Sequence, residues 1–521
     1  MKKGIVISVI ALVLGVTTIM SCSSSSSGTK SFPKGFLWGV STAAEQSEGG
    51  ITNNDWYIWE QMGKTPPVGL ADNFYNLYAQ DFTNAQAMHL NAFRLTFEWS
   101  RIVPNKPANI YAPLTESDPA VDMTEVTHYK NVINSLEAHG LTPVVTLEHY
   151  TLPQWVDNPR AAFNQTSQTF TDGSLGGWTN TQTAYAFANY AGFMAHEFST
   201  TVTYWLTENE PMPNILSGYV AGEYPPGYVN FFDLTATTMP FSASVVTVAH
   251  NFMLGHALAY HAIHAAEPKA MVSIAKNSIY MSAVPGNAAS AAAADALNHA
   301  YNLTILNALT TGNFDNGLTG TTNITYYPEW AHTLDYIGVN YYSNDYVMPA
   351  KGVLAPINAI PCDPTIGSVI PLSTFNCPAQ NPSETQGLTN ILVEYAQRYH
   401  LPMLITENGY GSGDPIAKAK YIVQNIQAVK NAINQGADML GYMYWTMDYD
   451  YEWTSGYAQN FGLFYVDNFT SCTTIKPFCG FVPSTTTTGF TRTAVQPAVD
   501  VFSATAAAND ITPTIMNQYG Q

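Results

Sequence analysis

The chain has 521 residues, of which 46% are hydrophobic and only 11% charged, with 38 acids against 19 bases for a formal charge of −19. So apolar a composition excludes a disordered chain, and so acidic a balance removes any electrostatic reason to bind nucleic acid or an anionic membrane surface. A soluble domain usually carries about 25% charged residues, so the surface must be polar through Ser, Thr, Asn, Gln and Tyr, and the length allows a few average domains or one large barrel.

At the N-terminus, Lys2 and Lys3 precede an apolar run over 5–16, then Ile19, Met20, Ser21 and Cys22. A basic start, a short apolar core and small residues form the pattern of an export signal. The run is shorter than the roughly 20 apolar residues of a membrane span. With Cys22 at the break and serines over 23–27, the segment resembles a bacterial lipoprotein signal. That resemblance implies removal of 1–21, a lipid on Cys22 as the one membrane attachment, a flexible tether over 22–31, and an exported chain at the periplasmic or outer surface; an ordinary export signal with an incidental Cys22 would instead give a secreted chain.

Beyond the tether, apolar runs alternate with amphipathic stretches. Strands are expected over 36–42, 91–99, 142–149, 202–210, 271–277, 334–342, 402–407 and 439–445. Helices are expected over 73–90, 124–139, 181–198, 245–266, 291–309, 385–399 and 416–435. Buried parallel strands read as unbroken apolar runs, as Met403, Leu404 and Ile405 do. Eight such βα units predict an α/β fold, a single (β/α)8 TIM barrel with long loops over 32–510 followed by a C-terminal tail, 511–521. No Gly-rich phosphate turn follows the first strand, which argues against an open doubly wound sheet. Four cysteines fall in loop-like stretches as two close pairs, Cys362 with Cys377 and Cys472 with Cys479. Export permits disulfides, and local pairing is the expectation, although four cysteines admit other pairings. No Cys or His spacing suggests a zinc site.

Polar residues gather where the strand runs end. Strand two carries Arg94 and Glu98; strand three ends in Glu148 and His149, strand four in Glu208, Asn209 and Glu210. Strand six ends in Asn340 and Tyr342, strand seven in Glu407, strand eight in Trp445. In a barrel these ends open onto one face, where active sites lie. Two carboxylates in one mouth supply an acid and a nucleophile. With Trp to stack on sugar faces and His, Asn and Gln to bind hydroxyls, cleavage of a glycosidic bond is the chemistry they suit, with no metal or organic cofactor required. A separation of about 5–5.5 Å between the carboxylates goes with retention of configuration. Glu407 is the one acid of its strand, but Glu208 and Glu210 share a parity, and periodicity does not choose between them.

Several motifs resemble those of family 1 glycoside hydrolases, the β-glucosidase and β-galactosidase family. Residues 36–50 (FLWGVSTAAEQSEGG) resemble its N-terminal signature, and 93–104 (FRLTFEWSRIVP) its second strand in the archaeal wording. Residues 207–211 (TENEP) resemble its acid/base motif and 405–409 (ITENG) its nucleophile motif. The resemblance covers about 32 to 467 and implies a TIM barrel, a retaining mechanism and β-glucosides or oligosaccharides as partners. It makes Glu210 the general acid/base and Glu407 the nucleophile, with Arg94 and Tyr342 flanking Glu407 to keep it ionised. It gives Asn209 the sugar 2-hydroxyl, and Gln46, His149, Glu452 and Trp453 the 3-, 4- and 6-hydroxyls. Trp445 becomes the stacking floor, Phe461 a wall near C6, and Asn340 a neighbour of Glu210. Glu208, Glu48, Glu98 and Glu148 are then structural, as are Trp99 and Trp178.

There are departures. Tyr150 stands where Trp is common, Tyr449 and Asp450 replace the usual Asp-Asn before Glu452, and a Thr-rich loop over 468–489 replaces the usual basic return strand. Glu452 is present and no Lys or Arg lies between Lys430 and Lys476, so an unphosphorylated sugar is expected. The expected activity is exo-acting hydrolysis of β-glucosides, with β-galactosides or β-fucosides as further substrates. A transglycosylase would share the motifs, whereas a non-catalytic sugar-binding lipoprotein would have lost one of the two glutamates. The low charge also suits an acidic habitat.

Overall fold

The computed structural model describes residues 31–362, 384–467, 469–471, 481–483 and 489–520. Cys22, Cys377, Cys472 and Cys479 lie outside the described residues. Eight parallel strands form the barrel: β1 (Leu37–Ser41), β2 (Ala92–Thr96), β3 (Thr142–Glu148), β4 (Tyr204–Asn209), β5 (Met271–Ala283), β6 (Ile337–Pro349), β7 (Met403–Glu407) and β8 (Met439–Trp445), and a ninth strand of the same sheet, Ala359–Pro361, pairs antiparallel with the end of β6. Each of the eight pairs in parallel with the next, β8 pairs with β1, and β5 with β6, so the sheet closes on itself. The expected barrel is the observed one.

The longest helices are α1 (Phe74–Ala87), α2 (Met123–Ala138), α3 (Thr181–Phe198), α4 (Val245–Ala266), α5 (Ala288–Asn298), α6 (Glu384–Tyr399), α7 (Pro415–Asn434) and, after β8, α8 (Ala498–Ala508). Their starts are written in the chain. Asp122, Asn180 and Asp414 accept hydrogen bonds from the first free backbone N–H groups of α2, α3 and α7, and Ser244 with Thr247 forms a reciprocal capping box on α4.

Two apolar layers follow from the period of two along each strand. Inward side chains, among them Leu37, Ala92, Val144, Leu206, Tyr336, Leu404 and Met443, fill the barrel. Outward ones pack against the helices in the larger core, where Trp99 and Trp178 are buried as expected, Trp99 stacked on Tyr190 at 5.4 Å and Trp178 on Phe252 at 4.1 Å. The barrel leaves no room at Gly338, where a Cβ would lie 2.5 Å from the Ile274 carbonyl oxygen.

Three elements differ from those expected. β5 and β6 run past 277 and 342 because they go on pairing with each other beyond the mouth, over a small separate core of Met281, Leu297, Tyr301 and Val347. The helix expected over 291–309 passes through a π turn, His299–Leu303, before resuming as Thr304–Thr311. The return strand is displaced rather than replaced: Arg492–Ala494 pairs antiparallel with Phe464–Val466. At the C-terminus, Pro513–Tyr519 forms a helix that buries Ile515 against the main core. Among the described residues no helix is long and apolar enough to cross a membrane.

Candidate active site

A cavity of about 300 Å³ opens at the C-terminal ends of the strands. Of the residues singled out in the sequence, Gln46, His149, Asn209, Glu210, Tyr342, Glu407, Trp445, Glu452, Trp453 and Phe461 line it. Arg94 and Asn340 are fully buried and touch the lining from behind.

Glu407 ends β7. Its Oε1 lies 2.5 Å from Nη1 of Arg94, and Tyr342 donates its hydroxyl to Oε2 at 2.6 Å. Arg94 is aimed by further bonds from its guanidinium to the Thr146 hydroxyl, the Thr406 carbonyl and Asn209 Oδ1, at 2.9, 3.2 and 2.7 Å. Burial nonetheless outweighs these donors: with Glu210 also repelling its charge, Glu407 is pushed up to about 7.

Glu210 follows β4. The pleat ends at Asn209, and Glu210 turns into the left-handed region at φ 48°. This turn breaks the shared parity. Glu208 stays on the outer face with its oxygens unpartnered, near Gly255 of α4, while Glu210 reaches the cavity. Asn277 and Asn340 each donate to Glu210 Oε1, at 2.9 and 2.8 Å, and Tyr150 donates its hydroxyl to Oε2. Asn209 and Asn340 join the two acids in one network. Asn340 Nδ2 also lies 3.2 Å from Asn209 Oδ1, the oxygen held by Arg94.

The far wall is aromatic. His149 lies between Trp445 and Trp453, with ring centroids 5.8 and 5.9 Å away at 27° and 17°. Its Nε2 meets Asn209 Nδ2 at 3.0 Å, which makes Nε2 the acceptor and Nδ1 the N–H. Burial, with Arg94 nearby, holds the ring well below its usual range, so it is neutral. Trp445 donates its indole N–H to Glu452 at 3.0 Å, and burial pushes Glu452 up to about 8. Gln46 donates to the Tyr451 carbonyl at 2.6 Å. Gln46 Oε1 and His149 Nδ1 are buried without a protein partner. Such atoms are costly unless a ligand or water meets them. Phe461 packs edge-on against Tyr342 at 5.8 Å. Among the described residues no group of three His, Cys, Asp or Glu side chains gathers as a metal site.

Of the acids expected to be structural, Glu48 and Glu98 make contacts that agree, while the oxygens of Glu148 and Glu208 are buried without a hydrogen-bond partner. Glu48 accepts from Tyr129 and Arg101, both at 2.8 Å, and Glu98 from Ser100 and Thr151 at 2.6 and 2.9 Å. Sequence reasoning missed Tyr150, Asn277, Tyr224 and Gln459, which also line the cavity. Asn277 was discoverable as the polar end of the fifth apolar run. Tyr150 is adjacent to His149, but its φ of 72° swings it to a face that strand alternation does not predict.

Residues 28–477 match the family described as glycosyl hydrolase family 1. The chain belongs to that family. This family 1 chain is 30% identical to a β-galactosidase of Pyrococcus woesei over 504 residues, covering 84% of this chain and 93% of that protein. It is 26% identical to β-glucosidase 47 of Arabidopsis thaliana over 467 residues, covering 84% and 81% respectively. Among solved structures, the β-glycosidase from Pyrococcus horikoshii superposes with a TM-score of 0.72 at 26% identity, over 94% of this chain and 98% of that one. The family 1 protein described here is a glycoside hydrolase of the β-glycosidase type.

Proposed function

We propose that this family 1 hydrolase is an exported, retaining, exo-acting β-glycosidase that removes terminal β-D-glucosyl residues and accepts β-galactosyl and β-fucosyl residues as well. The observation that carries the reading is the pair Glu210 and Glu407 on one cavity, each held by side-chain donors from other strands. In the first step, an oxygen of Glu407 attacks the anomeric carbon as the bond to the leaving oxygen breaks, and Glu210 gives that oxygen its proton. In the second, Glu210 takes a proton from water, the water oxygen attacks the same carbon, and Glu407 departs. Two inversions retain the configuration.

The wall residues then bind the sugar. His149 Nδ1–H and Gln46 Oε1, the two atoms without protein partners, suit hydroxyls at C3 and C4. Asn209 has an amide hydrogen left for the 2-hydroxyl, Glu452 and Trp453 meet the 4- and 6-hydroxyls, Trp445 is the floor and Phe461 the wall near C6. At about 300 Å³ the cavity is at the small end of ligand sites, which supports a terminal sugar over a run of them. Export rests on the pattern at 1–22, with Cys22 as the lipid anchor and Cys362–Cys377 and Cys472–Cys479 as the disulfides that an oxidising compartment allows.

A panel of nitrophenyl β-glycosides, run on wild type and Glu407→Gln, tests the assignment. Turnover by the wild type and none by Glu407→Gln is expected, and azide should restore turnover of an activated glycoside to Glu210→Ala. No turnover of any glycoside by the wild type ends the reading, and activity in Glu407→Gln ends the nucleophile assignment. In the same expressing cells, activity should sit in the membrane fraction for the wild type and be released for Cys22→Ala; equal partition removes the anchor.

A further inference from the structure

Tyr150 and Glu210 follow neighbouring strands, β3 and β4, and both leave the pleat in the left-handed region, at φ 72° and 48°. Non-glycine residues seldom adopt that conformation, and here two such residues are placed so that their side chains meet. The Tyr150 ring is fixed against Trp453, centroids 4.9 Å apart, and Trp453 is itself at φ 50°.

The chemistry of the donors distinguishes the two oxygens of Glu210. Oε1 receives Nδ2 of Asn277 and Nδ2 of Asn340. These amide groups only donate, so a proton on Oε1 would face two N–H groups. The Asn277 amide is held in that sense because Tyr301 donates its hydroxyl to Asn277 Oδ1 at 2.6 Å. Thr406 does the same for Asn340 Oδ1, also at 2.6 Å. Oε2 meets the Tyr150 hydroxyl, a group that both donates and accepts and tolerates either state of the carboxyl.

Resting on the acid/base reading of Glu210, we infer that Tyr150 is its positioning residue: it makes Oε2 the oxygen that carries the reaction's proton and holds the carboxylate formed when that proton leaves. In the first step the proton passes from Oε2 to the leaving oxygen as the glycosidic bond breaks, and Tyr150 donates to the carboxylate left behind. In the second, Oε2 takes the proton of the attacking water. The other charged and titratable groups around Glu210 are Glu407, Lys276, Tyr224, Tyr301 and Tyr342. None of them donates a hydrogen bond to Oε2 among the described contacts.

The test is Tyr150→Phe, which keeps the ring against Trp453 and removes the donor. A carboxylate that loses a donor keeps its proton to higher pH, so the alkaline limb of kcat/KM should move up by about one pH unit. Phenyl β-glucoside, whose leaving oxygen needs the proton, should lose about tenfold in kcat/KM, while the 2,4-dinitrophenyl glucoside, which does not, should change less than about threefold. An unmoved limb, or an equal loss on both substrates, overturns the inference. Should Tyr150→Phe fail to fold, 3-fluorotyrosine at position 150, a stronger donor of nearly the same shape, should move the limb down, and an unmoved limb overturns it. Wild type inactive on every glycoside would instead reject the underlying function.

Discussion

Burial and hydrogen bonding pull Glu407 in opposite directions. Its position at about 7 reflects burial and Glu210 on one side, Arg94 and Tyr342 on the other. A nucleophile must be ionised, so the acid limb of kcat/KM should fall near that value. Tyr342→Phe removes the donor at 2.6 Å and leaves the ring beside Phe461. The charged form loses support, so Glu407 moves up and the acid limb should rise by about one pH unit. The other charged neighbours of Glu407, namely Arg94, Glu210 and Glu452, remain in place. The check is kcat/KM against pH for both proteins, and a limb that stays or moves down contradicts the account. At this scale the sequence was informative wherever a polar residue ended an apolar run, as at Asn209, Asn340, Glu407 and Trp445. It failed where the backbone leaves the pleat. Glu208 and Glu210 are indistinguishable by parity, and only the left-handed turn at Glu210 separates them, just as the turn at Tyr150 brings in a cavity residue that alternation hides.

Among the elements, the return strand shows how the loop after β8 is held under the site. Arg492 lies on that strand and donates from Nε and Nη2 to the two oxygens of Asp81 on α1, at 2.8 and 2.9 Å, with neither side chain exposed. A buried pair contributes little net stability over an apolar pair, but halving it strands a charge, at a cost of about 3–5 kcal/mol. Arg492→Ala should therefore lose that much in urea unfolding, and the double variant Arg492→Met with Asp81→Leu should recover only part of it, because the buried Asp448, 3.8 Å from Arg492 Nε, is still left without its cation. A loss under about 1 kcal/mol in the single variant would show that the pair does not tie the strand to α1. The eight strands and their helices were legible because a parallel barrel demands apolar runs and amphipathic partners at a regular spacing. The return strand was not, because it is three residues long and lies beyond an insertion. The continuation of β5 and β6 was hidden for a related reason. Beyond the mouth they are stabilised by pairing with each other and by a local core, which mixed polar and apolar residues such as those of 343–347 do not announce.

Across the whole molecule, the scarcity of charge has a counterpart inside. Burial pushes Glu45 and Glu452 up to about 8, and Glu48 and Asp157 up to about 7. Glu148 is also raised by burial and by Glu98, and Glu208, its register neighbour on β4, by burial and by Glu148. In the unfolded chain these groups return to 4.5 for Glu and 3.8 for Asp. Between those values and about 8, these carboxyls therefore hold more protons in the folded state than in the unfolded one, and they outnumber the histidines His128, His149 and His256, which burial holds below 6.5 and which act in the opposite direction. Stability has the slope of the difference in bound protons, unfolded minus folded, which is negative over that window. The contribution is complete below about 4 and is lost as pH rises through 7 to 8. The formal charge of −19 at pH 7 adds self-repulsion in the same direction. The melting temperature should fall as pH rises from about 4.5 to 8, by about 5 °C or more, and a single buried group should shift the slope in proportion. Replacing Glu45 by Gln removes one titrating carboxyl while keeping a group that fits beside the Asn54 amide, which Glu45 now accepts from at 2.7 Å. Glu45→Gln should melt less steeply with pH than the wild type in calorimetry. A wild-type melting temperature that climbs toward neutrality would mean these carboxyls ionise in place, and the link between the sparse surface charge and an acidic habitat would fall with it.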